Sequence, residues 1–237
     1  SDGGCRLVTV VGEPGVGKSR LAGELIERVR PRARVVQGRC LSYGEGITYW
    51  AVAEVVRELT GIRDQHSAEQ VRTQLDAFCA SLADGAGVAA QVATMLGAGE
   101  SGTTPEELSW ALRRFLAAAA REQPLVVVMD DIHWAEPVLL ELLARLPQAL
   151  TDAPVLVVCL SRLELLDRDP AWPVTVRLGP LAAGEVDSLL ESLDAPASIR
   201  ARVTQAADGN PLFAEELVGW VAAGGDLEEM PTGLHAL

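Results

Sequence analysis

The sequence predicts an α/β protein, an open parallel sheet with helices on both faces, followed by a small all-helical unit. Three observations carry this. Leu125-Val126-Val127-Val128-Met129 and Val155-Leu156-Val157-Val158-Cys159-Leu160 are apolar runs without alternation, the pattern of parallel strands buried on both faces. Such runs alternate with stretches whose apolar residues recur at three- and four-residue steps, the mark of helices. From Gly179 onward the strand pattern stops and only the helical spacing continues.

In chain order, Leu7-Val8-Thr9-Val10-Val11 reads as a buried strand, and 20–30 as the helix after it, with Leu21, Leu25, Ile26 and Val29 on one side. Segment 33–40 is a second strand, 41–47 a glycine-containing loop and 50–59 a helix. Helical spacing returns over 70–82 and 106–121, the latter opened by Thr103-Thr104-Pro105-Glu106 as cap and first turn. The low-complexity patch 83–102 between them is expected to be a loop with a short helix. Pro124 ends the preceding helix and opens the strand that runs to Asp130-Asp131. A helix over 137–150, a strand over 155–161 and a short last strand over 174–178 complete the sheet. Helices over 183–193, 197–207 and 211–223 follow, bounded by Pro180 and the turn Ala207-Asp208-Gly209-Asn210-Pro211. The expected division is a core over 1–178, a helical lid over 179–225 and an irregular tail over 226–237 that leads into a further domain.

Composition narrows the function classes. With 49% apolar residues in 237, a sizeable core is assured. A formal charge of −13 argues against a broad nucleic-acid footprint, which needs clustered cations. Cys5, Cys40, Cys79 and Cys159 are scattered, with no C-x-x-C and no histidine at ligand spacing, so reduced thiols in a cytoplasmic protein are expected rather than a zinc site or disulfide frame. No apolar run approaches the ~20 residues that span a bilayer, and no basic-then-apolar signal segment is present. Ser1-Asp2-Gly3-Gly4 stands directly before a core strand, which reads as a piece of a longer protein.

The first strand and helix are joined by Gly12-Glu13-Pro14-Gly15-Val16-Gly17-Lys18-Ser19, a G-x-x-x-x-G-K-S loop holding the sequence's single lysine. Glycines let backbone N–H groups curl around an anion, and the helix N-terminus adds partial positive charge. An ordinary glycine-rich turn is the alternative, but the strand before and the helix after are the context this motif requires. Gly12 to Ser19 with Arg20 is therefore the predicted phosphate-binding set of a P-loop NTPase. Lys18 is placed on the β- and γ-phosphates and the Ser19 hydroxyl on Mg²⁺.

Four apolar residues ending in two acids suit the strand beside such a loop. Asp130 is placed on the metal and Asp131 on the attacking water. Two acids capping a strand for structural reasons is the other reading.

Asp130-Asp131-Ile132-His133-Trp134-Ala135-Glu136-Pro137 resembles the D-D-x-H-W-A-[DE]-P signature of the STAND signal-transduction ATPases, in particular those of large bacterial LuxR-type regulators and those beside nucleotide-cyclase domains. Gly38-Arg39-Cys40 with Tyr43-Gly44-Glu45-Gly46-Ile47-Thr48-Tyr49-Trp50 resembles the same group's segment after the second strand. Gly209-Asn210-Pro211-Leu212-Phe213-Ala214-Glu215-Glu216-Leu217 resembles its G-N-P box, so the likeness covers nearly the whole chain. The resemblance implies that Arg162, ending the strand after the acidic one, senses the γ-phosphate; a guanidinium suits this with several donors and a permanent charge. A solvated strand-end arginine is the alternative. It also implies that Pro211 packs on the adenine, while Asn210 and Pro211 equally suit a helix cap and first turn. His133 and Trp134 are read as packing around the strand end, because a carboxylate already fills the role of general base. The run Arg28 to Arg34 is read as a solvated helix end. The family carries a G-R-E-type segment before the first strand that helps form the base pocket, and a winged-helix module after the lid. On this resemblance the 237 residues hold the ATPase core and lid without those parts.

The expected function is an ATP-binding, slowly hydrolysing switch in a larger bacterial signalling or transcription-regulatory protein. ATP/ADP and Mg²⁺ are its cofactors. Its partners are the rest of that protein and, when ATP is bound, further copies; direct nucleic-acid and membrane contact are not expected of this segment. The acidic, arginine-poor lid counts against a small-molecule phosphotransferase, and a scaffold that holds nucleotide without hydrolysing it would differ only in an idle Asp131.

Overall fold

The computed structural model describes residues 3–42, 49–99 and 103–225. Residues 43–48 of the family-like segment and the tail over 226–237 lie outside the described residues.

The strands are β1 (Arg6–Gly12), β2 (Arg34–Arg39), β3 (Leu125–Asp130), β4 (Val155–Ser161) and β5 (Val176–Leu178), in the sheet order β2-β3-β4-β1-β5. β2 pairs parallel with β3, Arg39 opposite Asp130, and β3 pairs parallel with β4, Met129 opposite Cys159. Successive strand residues point to opposite faces, and Leu125 through Met129 are all buried, so both faces of this open parallel sheet are covered.

Helix α1 (Lys18–Val29) leads to β2, and four helices lead from β2 to β3: α2 (Trp50–Thr60), α3 (Ala68–Cys79), α4 (Gly85–Met95) and α5 (Pro105–Ala119). Capping boxes start two of them. Ser67 accepts from the Gln70 N–H and Thr104 from the Glu107 N–H, both at 3.3 Å, while the Gln70 and Glu107 side chains reach back to the cap N–H groups. A short 3₁₀ turn (Ile132–Trp134) and α6 (Pro137–Ala149) join β3 to β4, and α7 (Glu164–Arg168) lies between β4 and β5. The main core packs Val127, Met129, Val157 and Cys159 of the sheet with Val56, Leu75, Phe115 and Leu139 of the helices.

Two expectations are corrected. The patch over 83–102 is more than a loop with a short helix: α4 fills Gly85–Met95 and buries Val88, Ala89, Val92 and Ala93 at helical spacing. On α1 Ile26 is buried and Leu25 and Val29 are half-buried as expected, whereas Leu21, expected beside them, is 42% exposed and Ala22 is buried in its place. The expectation also lacked α7 and the 3₁₀ turn, both too short to show a period.

Contacts divide the chain into two compact units. The first takes the chain up to Val10 and Ala22–Thr175; the second takes Val11–Leu21 and the chain from Val176 on. The second unit contains α8 (Ala183–Ser192), α9 (Ala197–Ala207) and α10 (Pro211–Ala222) around a small core of Val186, Leu190, Val203, Ala207, Ala214 and Leu217. Thus the phosphate-loop segment belongs, by its contacts, with the C-terminal helices.

Candidate functional site

The predicted site residues fall into two groups, one per unit: Gly12 to Arg20 with Pro211 in the second, and Asp130, Asp131 and Arg162 in the first.

In the phosphate loop, Gly15 and Gly17 have φ of 76° and 101°, left-handed backbone that a side chain would strain. Reversals of this kind turn successive N–H groups toward one side of a loop. α1 starts at Lys18, and its first turn closes where the Leu21 N–H meets the Gly17 carbonyl at 2.9 Å. The first N–H groups of any helix have no carbonyl within the helix to meet, which makes a helix N-terminus a ready site for an anion. The Lys18 ammonium donates to the carbonyls of Gly12 at 2.8 Å and Glu13 at 2.9 Å, which ties it across the base of the loop. Ser19 and Arg20 are exposed.

The G-N-P box lies against this loop within the same unit. Asp208 and Gly209 are both left-handed, with φ of 46° and 77°, and the Gly209 carbonyl accepts the Leu181 N–H at 2.8 Å; this fixes the turn into α10. Asn210 caps α10 by accepting the Phe213 N–H at 3.2 Å, and Pro211 occupies the first turn, as the helix-start reading expects. Asn210 does more than cap: its Nδ2 donates to the Pro14 carbonyl at 3.1 Å, and the Leu212 N–H donates to the Gly15 carbonyl at 3.3 Å. Pro211 Cγ stands 3.9 Å from where a Cβ on Gly17 would be. A cavity of about 350 Å³ opens here, lined among others by Pro14, Val16, Pro180, Ala207, Asn210 and Phe213.

In the first unit, three strand ends converge. Asp130 closes β3, and one of its carboxylate oxygens accepts the Asp131 N–H at 2.9 Å. Asp131 is left-handed, with φ 55°, a conformation that aspartate tolerates better than most residues. Its carboxylate is held by Arg39 from the end of β2: Nε and Nη2 approach Oδ2 at 3.0 and 2.8 Å. That hydrogen bonding, followed by the charge of Asp131, raises the Arg39 pKa further above its ordinary value. The Arg39 N–H in turn donates to Glu54 of α2 at 2.7 Å. Sequence reasoning noted Arg39 only as part of a family-like segment and gave it no role.

His133 is buried while Trp134 is 48% exposed, so the packing role expected of both falls to the histidine. His133 Nδ1 lies 3.5 Å from the Arg162 N–H and 3.9 Å from Asp131 Oδ1. The Arg168 guanidinium of α7 donates to the carbonyls of His133 and, at 2.9 Å, of Ala135, which fastens the turn after the acidic pair. Arg162 follows Ser161 at the end of β4 and is half-buried. Cys40, beside this cluster, stays protonated: burial first, then the charges of Asp131, Asp130 and Glu54, push its thiol up to about 12. The cluster offers carboxylates and guanidiniums, and no thiolate nucleophile.

Residues 1–158 match the model of a family described as the AAA ATPase domain. An uncharacterized protein of Rhizobium meliloti (strain 1021) is 28% identical over 247 residues, a span covering 91% of this chain and 23% of that protein. The chain thus spans less than a quarter of that relative's length. Among solved structures, Drosophila ORC bound to DNA has a TM-score of 0.45 at 17% identity, covering 90% of this chain and 46% of that one. A STAND protein with a tetratricopeptide repeat sensor from Pyrococcus horikoshii has a TM-score of 0.45 at 15% identity, covering 90% and 27%. Among the described residues, no helix is long and apolar enough to cross a membrane.

Proposed function

This chain belongs to the AAA ATPase domain family, and from that premise we propose that it is the ATP-driven switch of a larger bacterial signalling protein of the STAND type, hydrolysing ATP slowly. The observation that carries the reading is the phosphate loop, with two left-handed glycines and the only lysine of the chain anchored on the Gly12 and Glu13 carbonyls at the head of α1.

Each group has a role on this reading. Gly12 to Arg20 bind the phosphates, and Lys18 neutralises charge that grows on them during transfer. Pro211 and the neighbouring 350 Å³ cavity offer an apolar face to the adenine. Ser19 and Asp130 are the residues assigned to Mg²⁺, and a hydroxyl with a carboxylate is a hard-oxygen pair that suits this ion. When bound, Mg²⁺ supplies charge neutralisation at the β- and γ-phosphate oxygens. Asp131 orients the attacking water and accepts its proton, and Arg162 reports the γ-phosphate.

Slow turnover is consistent with the surroundings of Asp131. Arg39 occupies one of its carboxylate oxygens, and aspartate is one methylene shorter than glutamate, so the carboxylate stands farther from the attacking water. A slow ATPase suits a timer: the ATP and ADP states persist long enough to set the arrangement of the remaining domains, with ATP favouring self-association. The STAND assignment rests on the D-D-x-H-W-A-E-P and G-N-P motifs. Reduced, buried cysteines suit the cytoplasm.

The test is bound-nucleotide analysis of freshly purified protein, followed by phosphate release from ATP with and without small-molecule acceptors. Adenine nucleotide in the preparation and slow release that acceptors leave unchanged are expected. Absence of nucleotide binding would remove the reading, and phosphate transferred to an acceptor would replace it with a phosphotransferase.

A further inference from the structure

We propose that Asn210 is a positioning residue for the phosphate loop: its side chain turns the Pro14–Gly15 peptide so that the Gly15 N–H faces the phosphate. The inference rests on the reading that this loop binds a nucleoside triphosphate.

The argument begins with peptide geometry. A trans peptide is planar, and its C=O and N–H point in opposite directions. The Pro14 carbonyl accepts Asn210 Nδ2–H at 3.1 Å, so it points at the start of α10. The N–H of the same peptide, that of Gly15, therefore points away from α10. The next carbonyl, Gly15, is held the same way by the Leu212 N–H at 3.3 Å. A phosphate loop works only if its amides converge; two successive carbonyls are here turned toward the start of α10, and the Val16 N–H of the second peptide meets the Glu13 carbonyl within the loop at 3.4 Å.

Close packing makes the clamp specific. A Cβ on Gly15 would come within 2.5 Å of Asn210 Oδ1 and 2.9 Å of its Nδ2, so the glycine lets the amide lie directly on the loop backbone. Both ends of the Asn210 amide are used, Oδ1 by the Phe213 N–H at 3.2 Å and Nδ2 by Pro14. Asparagine offers an acceptor and a donor at this reach; aspartate offers only acceptors, and serine is too short to span both partners. A residue needed only as a helix cap has no use for the donor.

This separates cap from clamp experimentally. Asn210→Ser keeps a capping oxygen of similar rank but loses the bond to Pro14. Two measurements are made on the whole chain: amide hydrogen exchange of the loop peptide without ligand, and affinities for ATP and inorganic tripolyphosphate. The expected results are faster exchange across the loop and about a five-fold loss of affinity for both ligands alike, the scale of one hydrogen bond. A role confined to the base pocket or the lid would weaken ATP and spare tripolyphosphate, and that result overturns the proposal. Unchanged loop exchange overturns it whatever the affinities. If the wild-type protein binds neither ligand, the nucleotide reading fails by itself, because exchange reads the clamp without ligand. Asn210→Asp, which keeps the shape and the cap but sets oxygen against the Pro14 carbonyl, is the second variant and is expected to speed exchange in the same peptide.

Discussion

Arg39 places two N–H groups on a single oxygen of Asp131, Nε at 3.0 Å and Nη2 at 2.8 Å, and so holds the carboxylate assigned to the attacking water. Arg39 is two-thirds exposed, at 67%, and Asp131 is 20% exposed, so the pair belongs with solvent-screened bridges worth ~0.2–1 kcal/mol. Releasing it is therefore expected to have a modest effect. Arg39→Ala should raise steady-state phosphate release by about 1.5- to 5-fold, the kinetic equivalent of that range. A fall in both rate and ATP affinity would instead make Arg39 a nucleotide contact.

Asp130 and Asp131 are expected to separate. Asp131→Asn retains Mg²⁺-ATP and loses residual hydrolysis, whereas Asp130→Asn weakens the dependence of binding on Mg²⁺. Titrating fluorescent ATP at several Mg²⁺ concentrations, beside a phosphate-release assay, distinguishes them. Wild-type hydrolysis in both variants would reduce the acidic pair to a structural strand end.

Arg162→Ala is expected to tell ATP from ADP. Loss of a charged hydrogen bond to the γ-phosphate costs ~1.5–3 kcal/mol, so ATP binding should weaken by about ten- to a hundred-fold while ADP binding holds. Equal losses for the two nucleotides would place Arg162 away from the γ-phosphate.

The buried cysteines set an alkaline limit on stability. Burial raises Cys5 and Cys79 to about 11 and Cys40 to about 12, from an ordinary 9.0. Above pH 9 the unfolded chain loses these protons while the folded chain keeps them. The unfolded state then binds fewer protons, and stability falls as pH rises. Each thiol contributes up to ~1.4 kcal/mol per pH unit in that window and nothing below it. Thermal transitions are expected to be flat between pH 7 and 8 and to drop between pH 9 and 10, with a shallower drop in Cys40→Ala. An unchanged slope in that variant would show that Cys40 is not shielded as the structure has it.

Much of this was legible in the sequence because local signals suffice for it. β4 and α9 begin and end where apolar run and helical spacing place them, and the phosphate loop joins β1 to α1 as its motif requires. α4 was legible only as a short helix within a loop: Val88, Ala89, Val92 and Ala93 keep helical steps, but their small side chains in a glycine- and alanine-rich patch dilute the contrast that makes periodicity visible. The clamps were out of reach. Asn210 and Pro14 are 196 residues apart, Arg39 and Asp131 are 92 apart, and only folding brings such partners together. The second pair had a faint trace: once β2 and β3 are taken as parallel neighbours ending together, Arg39 falls opposite Asp130 and beside Asp131.

The central claim is that the loop at the head of α1 binds the triphosphate of ATP through Lys18. Isothermal titration of Mg²⁺-ATP into the wild-type protein and into Lys18→Ala, with circular dichroism to establish that both are folded, tests it most directly. The account predicts one site per chain in the wild type and no detectable binding in a variant with an unchanged spectrum. ATP affinity retained in folded Lys18→Ala would contradict it.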